Sequence, residues 1–274
     1  DQTMMRALYT AASGMRAQQT NVDNISNNIA NVNTTAFKSQ KTEFKSLLYQ
    51  TIQTRTTSAN GEEKPIGAQV GLGTRVASNT TSYTQGALLE DESKSAFAIE
   101  GNGFFQVRGA DGTTYYTRNG NFNWSIGPTG TTLTNTDGYP VLDSNGNTIV
   151  LPNNVNSGKA VVTTDGQVGY YNNAGAYVSM NRTIGLSQFN NPAGLEKAGS
   201  NLLRATNASG AALNEATNAN LTRSKIHQGY LEGSNVQVAD EMVNLIVAQR
   251  AYQLNSKAIT TSDDMLEQAN NLKR

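Results

Sequence analysis

Two rows of apolar residues, set at opposite ends of the chain, constrain its fold more than any other feature. Near the N-terminus Leu8, Ala11, Met15, Gln18, Val22, Ile25, Ile29 and Val32 recur in alternating steps of three and four, and only Gln18 is polar. Sustained over more than three heptads, this spacing marks a helix that packs lengthwise on other helices. Gly14 alone interrupts the helix propensity. Asn31-Val32-Asn33-Thr34-Thr35 ends the pattern, because such side chains bond to the local backbone instead. Near the C-terminus Val238, Leu245, Tyr252, Ile259 and Leu266 repeat every seven residues. A companion row, Met242, Gln249, Ser256, Asp263 and Asn270, is mostly polar, and small Ala248, Ala251, Ala258 and Ala269 flank it. The spacing predicts one helix of about 35 residues, far above the usual length. Ser234-Asn235 followed by Gln237 fits an N-cap with a capping-box partner. Asp240 and Glu241 near the start, with Lys273-Arg274 at the end, suit the helix dipole.

The chain divides into four parts on this reading. Residues 1–50 form an N-terminal helical core segment. Its later portion is a shorter amphipathic stretch with Phe37, Phe44, Leu47, Leu48 and Ile52, and its Lys38, Lys41 and Lys45 are read as a solvated helix face, interrupted by Glu43. Residues 51–96 are rich in Thr, Ser, Gly and Gln, extended, with weak strand pattern and no core of their own. Residues 97–228 hold a central β domain with its connector, and residues 229–274 the C-terminal helical core segment. In the β domain short β-branched and aromatic runs are split by Asp111-Gly112, Asn119-Gly120, Asp137-Gly138, Asn145-Gly146 and Asp165-Gly166. Such pairs signal hairpins whose two turn residues both tolerate positive φ. Candidate strands run over 104–107, 114–118, 121–126, 160–163, 168–171 and 184–189; residues 190–222 read as loop or connector. The fold class is therefore α+β: long terminal helices paired as a coiled-coil-like core, with a central, mainly antiparallel β domain.

Composition removes several functions. The chain has no Cys, which excludes disulfides and thiolate metal or redox sites, and a single His, which excludes His-rich metal centres. Lys+Arg and Asp+Glu balance at 21 each, so there is no broad cationic footprint for nucleic acid. No apolar run approaches the length of a membrane span, so no membrane insertion is expected. No apolar h-region with a cleavage site is visible at the start of the sequence. The polarity sits in neutral residues: Asn and Thr together fill about 64 positions.

Chemical motifs are weak. Gly101-Asn102-Gly103-Phe104-Phe105-Gln106 begins like a dinucleotide loop, but Gln106 replaces the third Gly and strand, not helix, follows. Asp143-Ser144-Asn145-Gly146-Asn147 has a calcium-loop flavour, yet its Gly is misplaced and the terminal Glu is missing, so a hairpin turn is the better reading. His227 is alone and reads as a surface or interface residue. Asp263 and Asp264 are adjacent on a helix and diverge too far to share a site. No catalytic, cofactor-binding or metal-ligating set is predicted.

The terminal helices ask for something else. Each carries an apolar stripe longer than a β domain of this size can cover, and leaving it in water costs roughly 25 cal/mol per Å². Two helices bury only one side of each other, so further copies or other proteins must cover the rest. A head-to-tail contact that does not close yields an open helical filament. The residues expected to carry it are Leu8, Met15, Val22, Ile25 and Ile29, packed against Val238, Leu245, Tyr252, Ile259 and Leu266 or against neighbouring subunits.

Several runs then match a known family. Leu8-Tyr9-Thr10-Ala11-Ala12-Ser13-Gly14-Met15 and Asn27 through Lys38 (NNIANVNTTAFK) resemble the N-terminal signature of bacterial flagellar axial proteins, the rod and hook family. Glu232-Gly233-Ser234-Asn235-Val236, Glu241 through Ile246 (EMVNLI) and Gln249 through Ala258 (QRAYQLNSKA) resemble its C-terminal half. Residues 98–107 (AIEGNGFFQV) and Tyr116-Thr117-Arg118-Asn119-Gly120-Asn121-Phe122 resemble its β domain. One departure is Ala36, where the family usually carries Gly before the aromatic. Length, and Tyr49-Gln50-Thr51-Ile52 leading to Gly71-Leu72-Gly73-Thr74-Arg75-Val76, resemble the extra segment of distal-rod members.

The resemblance implies a structural subunit of a rigid helical tube that carries torque from motor to hook and encloses an export channel. Implied partners are further copies of the chain, proximal rod and hook or hook-junction subunits, bushing ring proteins where present, and the flagellar type III export apparatus, which needs no cleaved signal peptide. It also implies a basal-body location in the cell envelope, and that the 51–96 segment braces adjacent copies. The alternatives are another axial subunit, proximal rod or hook; a secreted carbohydrate-binding β module using exposed tyrosines and Trp124; or a wall hydrolase.

Overall fold

A computed structural model describes residues 2–47, 49–51, 69–199 and 201–273. Leu48, Ile52 and most of the proposed 51–96 segment's first half lie outside the described residues. Two helices, α1 (Gln2–Ala30) and α2 (Val238–Leu272), stand at the ends of the chain, and the strands between them pair antiparallel, so the class is α+β. The chain forms two compact units: residues 1–30, 40–81 and 237–274 make the first, and residues 31–39 and 82–236 the second.

In the first unit α1 and α2 lie against each other. Gly14 faces Asn255, so closely that a Cβ there would sit 2.8 Å from its Nδ2, and Asn28 Nδ2 lies 3.4 Å from Glu241 Oε2. Those two contacts run in opposite chain directions, so the helices are antiparallel. The sheltered row of α2 beside Leu245, Tyr252, Ile259 and Leu266 is Glu241, Ala248, Asn255 and Ser262, four residues before each apolar position. The mostly polar companion row, three residues before, is exposed at Met242, Gln249, Asp263 and Asn270.

The amphipathic stretch after residue 36 is not a helix. Gln40–Ser46 is a strand paired antiparallel with Thr74–Thr81, with a bulge at Glu43/Phe44. Only Thr42 of this strand is buried, and beyond the bulge Phe44 is 42% exposed, so the ribbon is largely solvated and is tied to α1 by Asn28. The Asn28 side chain, fully buried, donates to Gln40 O at 2.8 Å and accepts from Gln40 N at 3.0 Å, copying one rung of a β ladder. One turn earlier Asn24 donates to Thr42 Oγ1 (2.6 Å) and Asn79 Oδ1 (2.8 Å), and so touches both strands.

The second unit has a dry aromatic core. Phe97, Ile99, Phe105, Val107, Phe122, Leu133, Ile149, Val168 and Ile226 are buried together, with Phe105 and Phe122 edge to face at 4.9 Å. A smaller cluster holds Phe104, Tyr116, Phe189, Leu195 and Leu203. The strands Phe104–Arg108 and Thr114–Thr117 form the middle of a six-stranded sheet. Leu203–Arg204 and Leu213–Asn214 add to its two sides, so the 190–222 connector supplies strands that its Asn/Ala/Gly composition concealed. Trp124 is half-buried against the main core, and its Nε1 finds no partner among the described residues.

The turns differ from the two-residue hairpins expected. Gly112, Gly138, Gly146 and Gly166 have φ near +80°, but the residue before each does not. Each closes a three-residue loop, as in Gly146 N to Asp143 O (3.1 Å) with Asp143 N to Asn147 O (2.8 Å). That is a type I turn followed by one left-handed residue. The leading Asn or Asp side chain then accepts two further amides: Asn135 Oδ1 from Asp137 and Tyr139, Asn172 Oδ1 from Ala174 and Ala176. Gly120 is different, being required where its Cα passes the Phe97 carbonyl too closely for any Cβ.

Candidate functional site: a helix pair and a buried charge hub

The residues expected to carry assembly occupy the sheltered sides of both helices with one exception. Ile25 is buried; Leu8, Met15, Val22 and Ile29 on α1 and Leu245, Tyr252, Ile259 and Leu266 on α2 are half-buried; Val238 is 42% exposed. The opposite side of α2 leaves several large apolar side chains wet among exposed Arg250, Lys257 and Asp264, with Ile246 at 55%, Val247 at 62%, Leu254 at 69% and Leu272 at 88% exposure. Single exposed apolar residues are ordinary, but a row along 35 residues of one helix is a surface awaiting cover.

The second unit contains a site that the sequence reading missed. Glu232, fully buried, is held between two cations. Lys38 Nζ lies 2.5 Å from its Oε1 and Arg118 Nε lies 2.8 Å from its Oε2, both cations about as buried. Gly86 N adds a third donor to Oε1 at 2.9 Å. The rest of the guanidinium is satisfied by carbonyls and an amide oxygen: Gly101 O (2.7 Å), Gly103 O (2.6 Å), Ile99 O (3.1 Å) and Gln85 Oε1 (3.1 Å). The Gly101-Asn102-Gly103 loop thus turns oxygens toward a cation, the opposite polarity from a phosphate cradle. Lys38 also donates to Thr84 O at 2.8 Å. Burial pushes its ammonium below the usual lysine range; Glu232 pulls it back up, while Arg118 adds to the lowering.

Around the charges the backbone is tied as well. Ala36 N donates to Glu232 O (2.8 Å), Gly233 N to Ala87 O (2.7 Å) and Asn235 N to Phe37 O (3.2 Å). Asn235 Oδ1 accepts from Ser39 N at 2.7 Å and its Nδ2 donates to Ser82 O at 2.8 Å. So Asn235 does not cap α2, which starts at Val238 after a Gln237 N-cap that makes no side-chain bond. Lys38, read as one of three solvated lysines on a helix, is the buried one and lies on no helix. The available signal was context: Lys38, Arg118 and Glu232 each sit inside a short run flanked by glycines or aromatics, in a chain only 15% charged.

The other weighed motifs are local. His227 Nε2 pairs with Glu100 at 2.7 Å at the surface. Asp143 accepts Asn145 N and Asn147 N at 2.9 Å and pairs with Arg182 at 2.7 Å, which makes its loop a turn. Among the described residues no group of His, Asp and Glu could hold a metal ion, and no helix is long and apolar enough to cross a membrane.

Three family models match, one on each part of this architecture. They are described as flagella basal body rod protein (residues 8–38), flagellar hook protein FlgE/F/G D1 domain (98–170) and flagellar basal body rod FlgEFG protein C-terminal (227–272). Together they define the class, a flagellar rod-and-hook protein, and each matched stretch contributes one charged residue to the hub. The chain is 43% identical over 272 residues to flagellar basal-body rod protein FlgG of Borreliella burgdorferi, covering 99% of this chain and all of that one. It is 40% identical to the FlgG of Bacillus subtilis, covering 99% of this chain and all of that one. The FlhP hook-basal body complex protein of the same organism stands at 31%, covering 98% of this chain and all of that one. The chain belongs to the flagellar basal-body rod protein family of the FlgG type.

Proposed function

We propose that the chain is a structural subunit of the flagellar distal rod, self-assembling through its terminal helices into a rigid helical tube that transmits torque and encloses the export channel. The observation that carries this is the wet apolar row of α2. Val243, Ile246, Val247, Leu254, Met265 and Leu272 all stand exposed on a helix whose other side is already occupied. Covering such a row is favourable at roughly 25 cal/mol per Å², and identical neighbours offer the same helices. Leu8, Met15, Val22, Ile25 and Ile29 with Leu245, Tyr252, Ile259 and Leu266 then form the coiled-coil-like inner core of each subunit, and Val238 and the outer row meet adjacent copies. The 51–96 segment, together with the Gln40–Ser46 ribbon, braces neighbours from outside. Proximal rod, hook-junction and bushing subunits meet the ends and flanks of the tube, and the subunits arrive through the type III export apparatus at the basal body. A neutral polar surface suits this role, since Asn and Thr satisfy one another across interfaces without the desolvation cost of charges.

The test is electron microscopy of the concentrated protein beside a Val247→Asp variant. The wild type is expected to form tubes and the variant to remain a folded subunit, because residue 247 is already in water. Tubes of normal length from the variant, or none from the wild type at any concentration, would sink the proposal.

A further inference from the structure

The hub holds one carboxylate against two cations, and the carboxylate comes from the far end of the chain. Lys38 and Arg118 precede Glu232 by much of the sequence, and the strands that form the middle of the sheet, Phe104–Arg108 with Thr114–Thr117, are a local hairpin that pairs without it. The attachments of residues 36–39 are not local. Ala36 N goes to Glu232 O, Asn235 N reaches Phe37 O, Ser39 N goes to Asn235 Oδ1, and Lys38 goes to Glu232. Residues 86 and 87 are likewise held by Glu232 Oε1 and Gly233 N. Before residues 232–235 arrive, both segments lack most of their anchors. Closing the site at that stage would also place two desolvated cations together with no counter-charge, which is strongly unfavourable.

We infer that Glu232 is a latch that closes the second unit last. The sheet core forms first, and Gln85 and Tyr83 can settle on it through Ile99 O and the Phe104 ring; residues 36–39 and 86–87 dock only when the strand Tyr230–Glu232 delivers the missing charge. In a chain delivered by export, closure would wait for nearly the whole polypeptide. That use rests on the export proposal above; the latch itself does not.

Pulse-labelling hydrogen exchange during refolding of the full chain tests the order. The amides of strands 104–108 and 114–117 are expected to gain protection first, and Ala36, Gly86, Gly233 and Asn235 at least about tenfold more slowly, as a separate cooperative step. Protection of all of them in one phase overturns the latch, and this arm needs no variant. A second arm uses Glu232→Gln, expected to lose protection at Ala36 and Gly86 by about tenfold or more while strands 104–108 keep theirs. Adding Lys38→Met to that variant should restore part of the loss, because it removes one uncompensated cation. If the double variant is less protected than the single one, the hub is ordinary hydrogen bonding and the charge argument fails. Glu100→Gln, which breaks the exposed pair with His227, should leave both sets of amides unchanged. Neither arm requires tubes to form, so it can fail or succeed independently of the assembly reading.

Discussion

The two units of this protein solve the burial problem in opposite ways. The second hides its large side chains completely: Phe97, Phe105, Phe122, Leu133 and Ile149 are all inaccessible to solvent. The first has few such residues. Among its described residues the sheltered positions are small or polar, namely Ala11, Ala17, Asn28, Thr42 and Ala248 beside Ile25, and the other large apolar side chains described there are half-covered or wet. A closed core makes a unit stable alone. An open one is stable only to the extent that something else covers it, and its ordering is then coupled to that event.

The sharpest way to break the comparison is one substitution in each unit. Phe105→Ala opens a cavity in the dry core beside Phe122 and should cost about 3–5 kcal/mol, seen as a large fall in the melting temperature of the β unit. Leu245→Asp, on the half-covered face of α2, should leave that melting transition in place and abolish tube formation. If both variants lose the β transition, the units are not energetically distinct. A smaller effect of the same kind is expected at the hub. A Cβ at Gly86 would sit 2.1 Å from Gly233 O, so Gly86→Ala must push apart the backbone that holds Glu232. A loss of about 1–3 kcal/mol by denaturant unfolding is expected, with faster exchange at Gly233 N.

The same contrast explains what could be read in advance. Period is a strong signal, so the seven-residue rows located α1 and α2, and the Asp-Gly and Asn-Gly pairs located the hairpins. Period says less about phase: the sheltered row on α2 is offset by one residue from the companion row, with Ala248 buried and Asn255 set against Gly14 of α1, a close approach that a hydrophobicity pattern does not register. Residues 40–46 carry no strand signal because Lys and Glu give none; what holds them extended is the distant partner strand Thr74–Thr81, with Asn28 fixing the Gln40 end. The hub was invisible for the same reason. A buried ion pair is a long-range fact, and Lys38, Arg118 and Glu232 look like surface residues until the fold brings them together.

Alkaline pH sharpens the comparison within the second unit. Tyr83 packs edge to face on Phe104 at 5.6 Å, and burial raises its phenol to about 12 from an ordinary value of 10.0. Because the folded value is above the unfolded one, its contribution is fully present below pH 10 and lost as pH rises toward 12. Burial of Tyr116 acts in the same direction. Lys38 acts oppositely: its folded value is lowered, so the cost of burying its charge disappears as pH rises toward 10.5. Net stability should therefore fall between pH 10 and 12, and Tyr83→Phe should reduce that fall. A pH titration of unfolding free energy checks this; an unchanged alkaline slope in the variant would remove Tyr83 from the account.

The smallest expected effect lies at Ala36. Ala36 has φ +57°, a left-handed conformation that an alanine adopts at a cost of about 1 kcal/mol or somewhat more and a glycine without it. The strain is held by the bond from Ala36 N to Glu232 O, at the entrance to the hub. Ala36→Gly removes the strain but loosens the unfolded chain, an opposing term of about 0.4–1 kcal/mol. The expected result is a gain of no more than about 1 kcal/mol, with unchanged exchange at Gly86. A loss of stability instead would mean that the methyl group packs usefully in its half-buried position, so that contact outweighs the left-handed strain.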